Sequence, residues 1–158
     1  MLKAVIPLFL LFLVSCSQES IYDLKLKALD GSEFSLSAFK GRPFALYVWS
    51  GTCIGHIEDL KFIQSNYKDI SSRIPLVSVA IMMDEEDIKK VLKENSIEPS
   101  FPLLADPTGK ISEMVVLVFL PSTLIFNETG ELIKSYPKFP QNISILFQVV
   151  TKSHKAVE

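Results

Sequence analysis

The chain is poor in cysteine, with two in 158 residues, Cys16 and Cys53. Two thiols build no disulfide framework, and they are not expected to pair, because Cys16 lies in a segment with the features of a targeting signal. There is no excess of charge of either sign. Sixteen Lys and Arg against eighteen Asp and Glu give a net charge of -2, which supplies neither a basic field for nucleic acid nor an acidic tail. The N-terminal apolar run, Ala4 to Val14, covers eleven residues and is broken by Pro7, whereas a helix spanning a bilayer needs about 20. Internal repeats, low-complexity tracts and domain linkers beyond Ser17 to Ser20 are also missing. What remains is a chain with 48% hydrophobic residues, ordinary for one globular domain with a sizeable core.

The N-terminal run has the length of a signal-peptide core, preceded by the positive Lys3. It ends in Leu13-Val14-Ser15-Cys16, and polar Ser17-Gln18-Glu19-Ser20 follows. This resembles the lipobox of bacterial lipoproteins. The resemblance implies cleavage before Cys16 and lipid on its thiol and new amino group; an uncleaved anchor and an ordinary signal peptide are the alternatives. Several acyl chains anchor a protein stably where one binds only marginally. Each reading places the domain in the cell envelope, outside the cytoplasm, where disulfides persist. The expected organisation is a signal over 1–16, a linker over 17–20, a folded domain over 21–152 and a frayed tail over 153–158.

Along the domain, Leu24, Leu26 and Ala28 alternate with polar residues, Asp30-Gly31 turns the chain, and Phe34 and Leu36 resume the alternation, so a hairpin is expected. Phe44 to Trp49 is a continuous apolar run after Pro43, the pattern of a strand buried on both faces. Ile57, Leu60, Ile63 and Ile70 then recur at helical spacing. Leu76 to Met82 reads as a second buried strand. Asp84 is a plausible N-cap, with Glu85, Glu86 and Asp87 loading the first turn of a helix striped by Ile88, Val91 and Leu92. This acidic run is a solvated helix start rather than a metal site. Phe101 to Ala105 is a short strand, and Asp106-Pro107-Thr108-Gly109 a turn before a short helix. Leu120 to Phe126 and Glu131 to Lys134 form a second hairpin, with Pro121 opening its first strand. Pro137 and Pro140 break the chain before a last helix through Ile143, Leu146, Phe147 and Val150. Alternating strands and helices with hairpins at both ends predict an α/β domain, a mixed sheet flanked by helices with an N-terminal β-hairpin.

The chemistry-bearing stretch is Trp49 to Asp59. Cys53 sits where the buried strand meets the helix expected from about Ile54. A thiol at a helix N-terminus faces unpaired N–H groups and the positive end of the dipole, which favour the thiolate. His56, one turn on, shares that face. The expectation is a Cys53 pKa below the ordinary thiol value. The plainer alternative is a small buried cysteine beside a satisfied surface histidine.

Taken in order, these signals resemble the thioredoxin-like fold, and within it the membrane-tethered TlpA/ResA type of thiol–disulfide oxidoreductase, in the wider AhpC/TSA-redoxin-like superfamily. The resemblance rests on Leu26 to Gly31, Leu36, Lys40-Gly41, Val48 to Cys53, Asp106 to Lys110, Leu120 to Ile125 and Gly130. It implies that Cys53 is the attacking thiol. It also implies that Pro121 is cis and holds an extended substrate strand, with Trp49, Thr52 and Leu120 beside it. Asp59 takes the place of a buried acid behind the site. The departure is His56, which stands where the family has the second cysteine of Cys-x-x-Cys.

A dithiol site resolves its own mixed disulfide, and a lone Cys53 cannot. The implied chemistry is monothiol exchange with protein thiols or disulfides, completed by the substrate's second thiol, an external thiol or a redox partner protein. No cofactor and no metal is expected. His56 would tune the thiol or protonate a leaving group, and Asp59 would tune either group or relay a proton. A redox-inactive polypeptide-binding module is the main alternative. A one-cysteine peroxidase is disfavoured because no proline precedes Cys53 within Val48 to Thr52. Copper handling through Cys53, His56 and Met82 or Met83 suits Cu(I) chemistry, but a methionine there is more simply core.

Overall fold

Phe44–Trp49 form the central strand β3, and all six residues are buried. Their side chains divide by strand alternation. Phe44, Leu46 and Val48 enter one core, and Ala45, Tyr47 and Trp49 enter the other. A strand covered on both faces has no solvated side to mark, which is why its sequence is apolar without interruption. The computed structural model describes residues 19–155, the last four by backbone alone. The proposed signal, Cys16, Ser17, Gln18 and residues 156–158 lie outside the described residues.

β1 (Lys25–Ala28) and β2 (Glu33–Ser35) form the N-terminal hairpin. After β3 come α1 (His56–Ser71), β4 (Leu76–Ile81), α2 (Glu85–Glu94) and β5 (Leu103–Asp106). The short α3 (Ile111–Met114), β6 (Ser122–Phe126), β7 (Leu132–Pro137) and α4 (Ser144–Lys155) complete the chain. One seven-stranded sheet has the order β2-β1-β5-β4-β3-β6-β7. β3, β4 and β5 are parallel neighbours. The two crossovers between them step the same way along the sheet, so a common right hand puts α1 and α2 on the same face. Leu60, Ile63 and Ile70 of α1, Ile88 and Leu92 of α2 and Leu146 of α4 accordingly share one core with Tyr47 and Trp49. The other face is closed by the one-turn helices at Ile21–Asp23 and Leu36–Phe39 and by α3, over a core that Leu26 and Phe34 of the hairpin extend. There Phe39, Phe44 and Phe126 stack in series, with ring centroids 5.2 and 4.9 Å apart.

The mixed sheet flanked by helices, with hairpins at both ends, is as expected. The differences lie at element ends. β6 begins at Ser122 rather than Leu120, because Pro121 brings no N–H to the ladder. β7 continues to Pro137 at the sheet's edge, where proline is tolerated. α4 runs to Lys155, past the expected end at 152. β1 pairs antiparallel with β5, a long-range contact that strand periodicity does not encode.

Candidate functional site

β3 ends at Trp49, and the chain turns through residues 50–55 before α1 starts at His56. Gly55 makes the entry with φ at 91°. A β-carbon there would be strained and would sit 3.1 Å from Lys138 Nζ, so this turn requires glycine. The helix therefore starts two residues later than expected, and Cys53 lies outside it.

Cys53 is half-buried and free. Its Sγ donates to Ser50 O at 3.0 Å and accepts from Ser50 N–H at 3.4 Å. The sulfur thus bonds back along its own turn and does not face the N–H groups of α1. Burial pushes the Cys53 thiol up, the Asp59 charge adds to the rise, and the hydrogen bonds with Ser50 pull the other way. The expectation of a lowered pKa is corrected here: desolvation outweighs the hydrogen bonds with Ser50, and the neutral thiol is the favoured resting form.

His56 is buried, and its ring stacks on Trp49 with centroids 5.1 Å apart and planes 11° off parallel. Its Nδ1 lies 2.6 Å from Cys53 O. A carbonyl only accepts, so Nδ1 carries the proton in this contact. The imidazole is held to the cysteine's backbone through Nδ1, and Nε2 is the nitrogen left for proton transfer.

Asp59 is 4% exposed. Although it lies on α1, it is not a surface polar residue. Its Oδ2 accepts from Tyr47 Oη and from Phe139 N–H, both at 2.9 Å. Burial raises its pKa, while these two hydrogen bonds and the Lys138 charge pull it down. Tyr47 is raised in turn, chiefly by burial and then by the Asp59 carboxylate.

Trp49, expected beside the substrate, is fully buried, and its Nε1 donates to Ser78 Oγ at 2.9 Å. This is a correction: it offers a ligand no surface and instead forms the floor under His56. Thr52 is exposed, with Oγ1 3.3 Å from Ser50 Oγ. The Leu120–Pro121 peptide is cis, as the resemblance implied. Pro121 precedes Ser122, which pairs with Val48, so register sets it opposite Trp49 at the end of the sheet that carries residues 50–55. Lys138 N–H donates to Pro121 O at 2.9 Å. A groove of about 580 Å³ has Ser50, Gly51, Thr52, Leu120, Met82 and Met83 among its lining residues. Met83 is core, whereas Met82 is 69% exposed. Among the described residues, no group of three His, Cys, Asp or Glu side chains is placed to hold a metal.

Sequence reasoning missed the supports of this site. Tyr47 had a signal, since a tyrosine inside a buried run needs a partner for its hydroxyl. Ser78 had a similar one in β4, where it is wholly buried. Lys138 and Phe139, between two prolines, had none.

A family model described as the AhpC/TSA family matches residues 18–135. The sporulation thiol-disulfide oxidoreductase A of Bacillus subtilis is 25% identical over 114 residues, covering 70% of this chain and 67% of that protein. The thioredoxin-like protein YneN of the same organism is 27% identical over 109 residues, covering 68% of this chain and 64% of its own length. The chain thus spans about two thirds of each relative. Among solved structures, the pneumococcal exposed lipoprotein thioredoxin Etrx1 from Streptococcus pneumoniae superposes with a TM-score of 0.68 at 25% identity, over 80% of this chain and 97% of that one.

Proposed function

Because the chain belongs to the AhpC/TSA family and has the thioredoxin-like fold, we propose that it performs thiol–disulfide exchange through the single thiol of Cys53. It does so outside the cytoplasm, held to a membrane by lipid on Cys16. The observation that carries this reading is the half-buried Cys53 sulfur at the same sheet end as the cis-Pro121 turn. The relatives named as a thiol-disulfide oxidoreductase and as an exposed lipoprotein thioredoxin support it. In the proposed arrangement residues 1–16 are the signal, 17–20 the linker and 21–152 the working domain.

The Cys53 thiolate attacks one sulfur of a substrate disulfide. A new S–S bond forms, the old one breaks, and the departing sulfur leaves as thiolate and takes up a proton. His56 Nε2, unprotonated while Nδ1–H is held by the Cys53 carbonyl, is the candidate to take the Cys53 proton as the thiolate forms and then to pass that same proton to the departing sulfur. Thr52, Leu120 and Pro121 line the strand-binding side. With His56 in place of a second cysteine, the mixed disulfide is released by the substrate's other thiol, by a small external thiol or by a partner protein's thiol.

The second reading, a polypeptide-binding module without turnover, is favoured by one observation. Burial disfavours the thiolate that exchange needs. Disulfide exchange by the natural chain, His56→Cys and Cys53→Ser, each with and without glutathione, separates the two. Exchange by the natural chain only with glutathione supports the monothiol reading. His56→Cys should then turn over without glutathione, and Cys53→Ser should be inert throughout. A natural chain inert under every condition, beside an active His56→Cys, establishes the binding module instead.

A further inference from the structure

The segment between α3 and the cis-proline turn carries a run of exposed apolar side chains. Val116 is 81% exposed, Val118 69% and Phe119 57%. Val115 just before them and Leu117 between them turn inward and pack against the core that holds Phe44 and Ile111. A single exposed apolar side chain needs no explanation. Three within four residues, on a ledge whose inner side is pinned to the core, form a patch of the kind that marks an interaction site.

The place where the described chain begins says what covers it. Glu19 lines one cleft with Lys110, Glu113 and Met114 and another with Met114 and Val115. The N-terminus therefore enters the domain at the root of the ledge. Cys16 is three residues before Glu19, and three residues of chain reach at most about 10 Å. Lipid on Cys16 would hold this corner of the domain, and no other, within that distance of the bilayer.

We propose that Val116, Val118 and Phe119 form a lipid-contacting ledge that seats in the membrane interface beside the acylated Cys16. The proposal rests on the lipid-anchor reading above. Lys25, Lys110, Glu19, Asp23 and Glu113 around the ledge's root are of mixed sign, so the contact is apolar and does not depend on anionic headgroups. Anchor and ledge are two independent membrane signals, and together they fix orientation as well as attachment. Phe119 is two residues before Pro121, so the seated ledge turns the cis-proline side of the site toward the bilayer surface. The disulfides it meets there are those of membrane-proximal proteins.

The test uses full-length Val118→Trp protein made with its own signal and reconstituted in phosphatidylcholine vesicles. Intact mass reports acylation of Cys16, and flotation reports attachment. Val118→Trp emission should shift to the blue on the vesicles and be quenched by lipids brominated in their acyl chains. The natural chain, whose one tryptophan is the fully buried Trp49, should show neither change. If the mass shows no acylation, the anchor reading has failed. The ledge is then tested with a maleimide-headgroup lipid coupled to Cys16 in a Cys53→Ser background, where the same two changes support it. A tryptophan that stays water-exposed on anchored protein overturns the proposal in either format. Emission that shifts with protein concentration in the absence of lipid also overturns it, since the ledge would then be a contact between copies or with another polypeptide.

Discussion

Asp59 and Cys53 oppose each other: the buried carboxylate adds to the rise of the thiol's pKa. Asp59→Asn keeps an oxygen for Tyr47 Oη and Phe139 N–H and removes the charge. Cys53 alkylation at neutral pH should become faster, by up to about tenfold for each pKa unit recovered, with the midpoint of the rate–pH curve moving down. A slower reaction would mean that the carboxylate carries the proton away and is more than a neighbouring charge. The stability effect has a definite sign. The folded-state pKa of Asp59 is raised, so its contribution is fully present below the unfolded value near 3.8 and is lost as pH rises through the folded value. Asp59→Asn should therefore flatten the decline in Tm over that window. The spacing of residues 53 and 56 suggested two side chains one helical turn apart on a shared face, whereas the contact found is between His56 Nδ1 and the Cys53 carbonyl, with Cys53 outside the helix. The direction of the thiol's shift was not legible in the sequence. It depends on Gly55 opening the turn in the left-handed region, which keeps Cys53 out of the helix, and on how deeply the sulfur is buried.

At the scale of elements, the strands and helices that touch the core were readable because period 2 and period 3.6 report burial directly. Asp84 behaved as its position suggested, with Oδ1 accepting from Asp87 N–H at 2.9 Å. Asp106 looked like ordinary turn chemistry but does more. It is 2% exposed, and its two carboxylate oxygens accept from Lys110 N–H and Ile111 N–H, both at 3.0 Å. The end of β5 thereby caps α3, and α3 leads directly into the ledge and the cis-proline turn. Such a cap is invisible in a sequence because it acts across a turn and onto a helix of one turn. Asp106→Ala leaves two N–H groups unpaired in a nearly buried place and should cost about 1–3 kcal/mol in chemical denaturation. Asp106→Asn, which keeps an acceptor, should cost less. Equal losses in the two variants would mean that the cap contributes little beyond its packing.

Across the whole molecule, the two cores differ in what they hold. The side with Phe39, Phe44 and Phe126 is mainly apolar packing, its buried carboxylate being Asp106 at the cap of α3. The side with Tyr47 and Trp49 carries the buried polar pairs Tyr47–Asp59 and Trp49–Ser78 near the strand end that leads into the Cys53 turn. The continuous apolar runs made both cores foreseeable. The polar pairs were hidden because each joins residues brought together only by packing: Asp59 meets Phe139 across 80 positions of chain. What this scaffold lacks is a second thiol in the folded domain, and global stability reports that directly. A Cys-x-x-Cys site closes a disulfide on oxidation, so its oxidised and reduced forms unfold at different temperatures. If Cys16 is acylated as proposed, Cys53 is the one free thiol and has no internal bond to make. The natural chain's Tm should be the same with and without dithiothreitol, whereas His56→Cys should give two distinct Tm values, converted into one another by oxidant and reductant. A reductant-dependent Tm in the natural chain would mean that Cys53 is held in a disulfide, with Cys16 or with a second copy. In that case the reactive species is not a free monothiol, and the mechanism must begin with reduction of that bond.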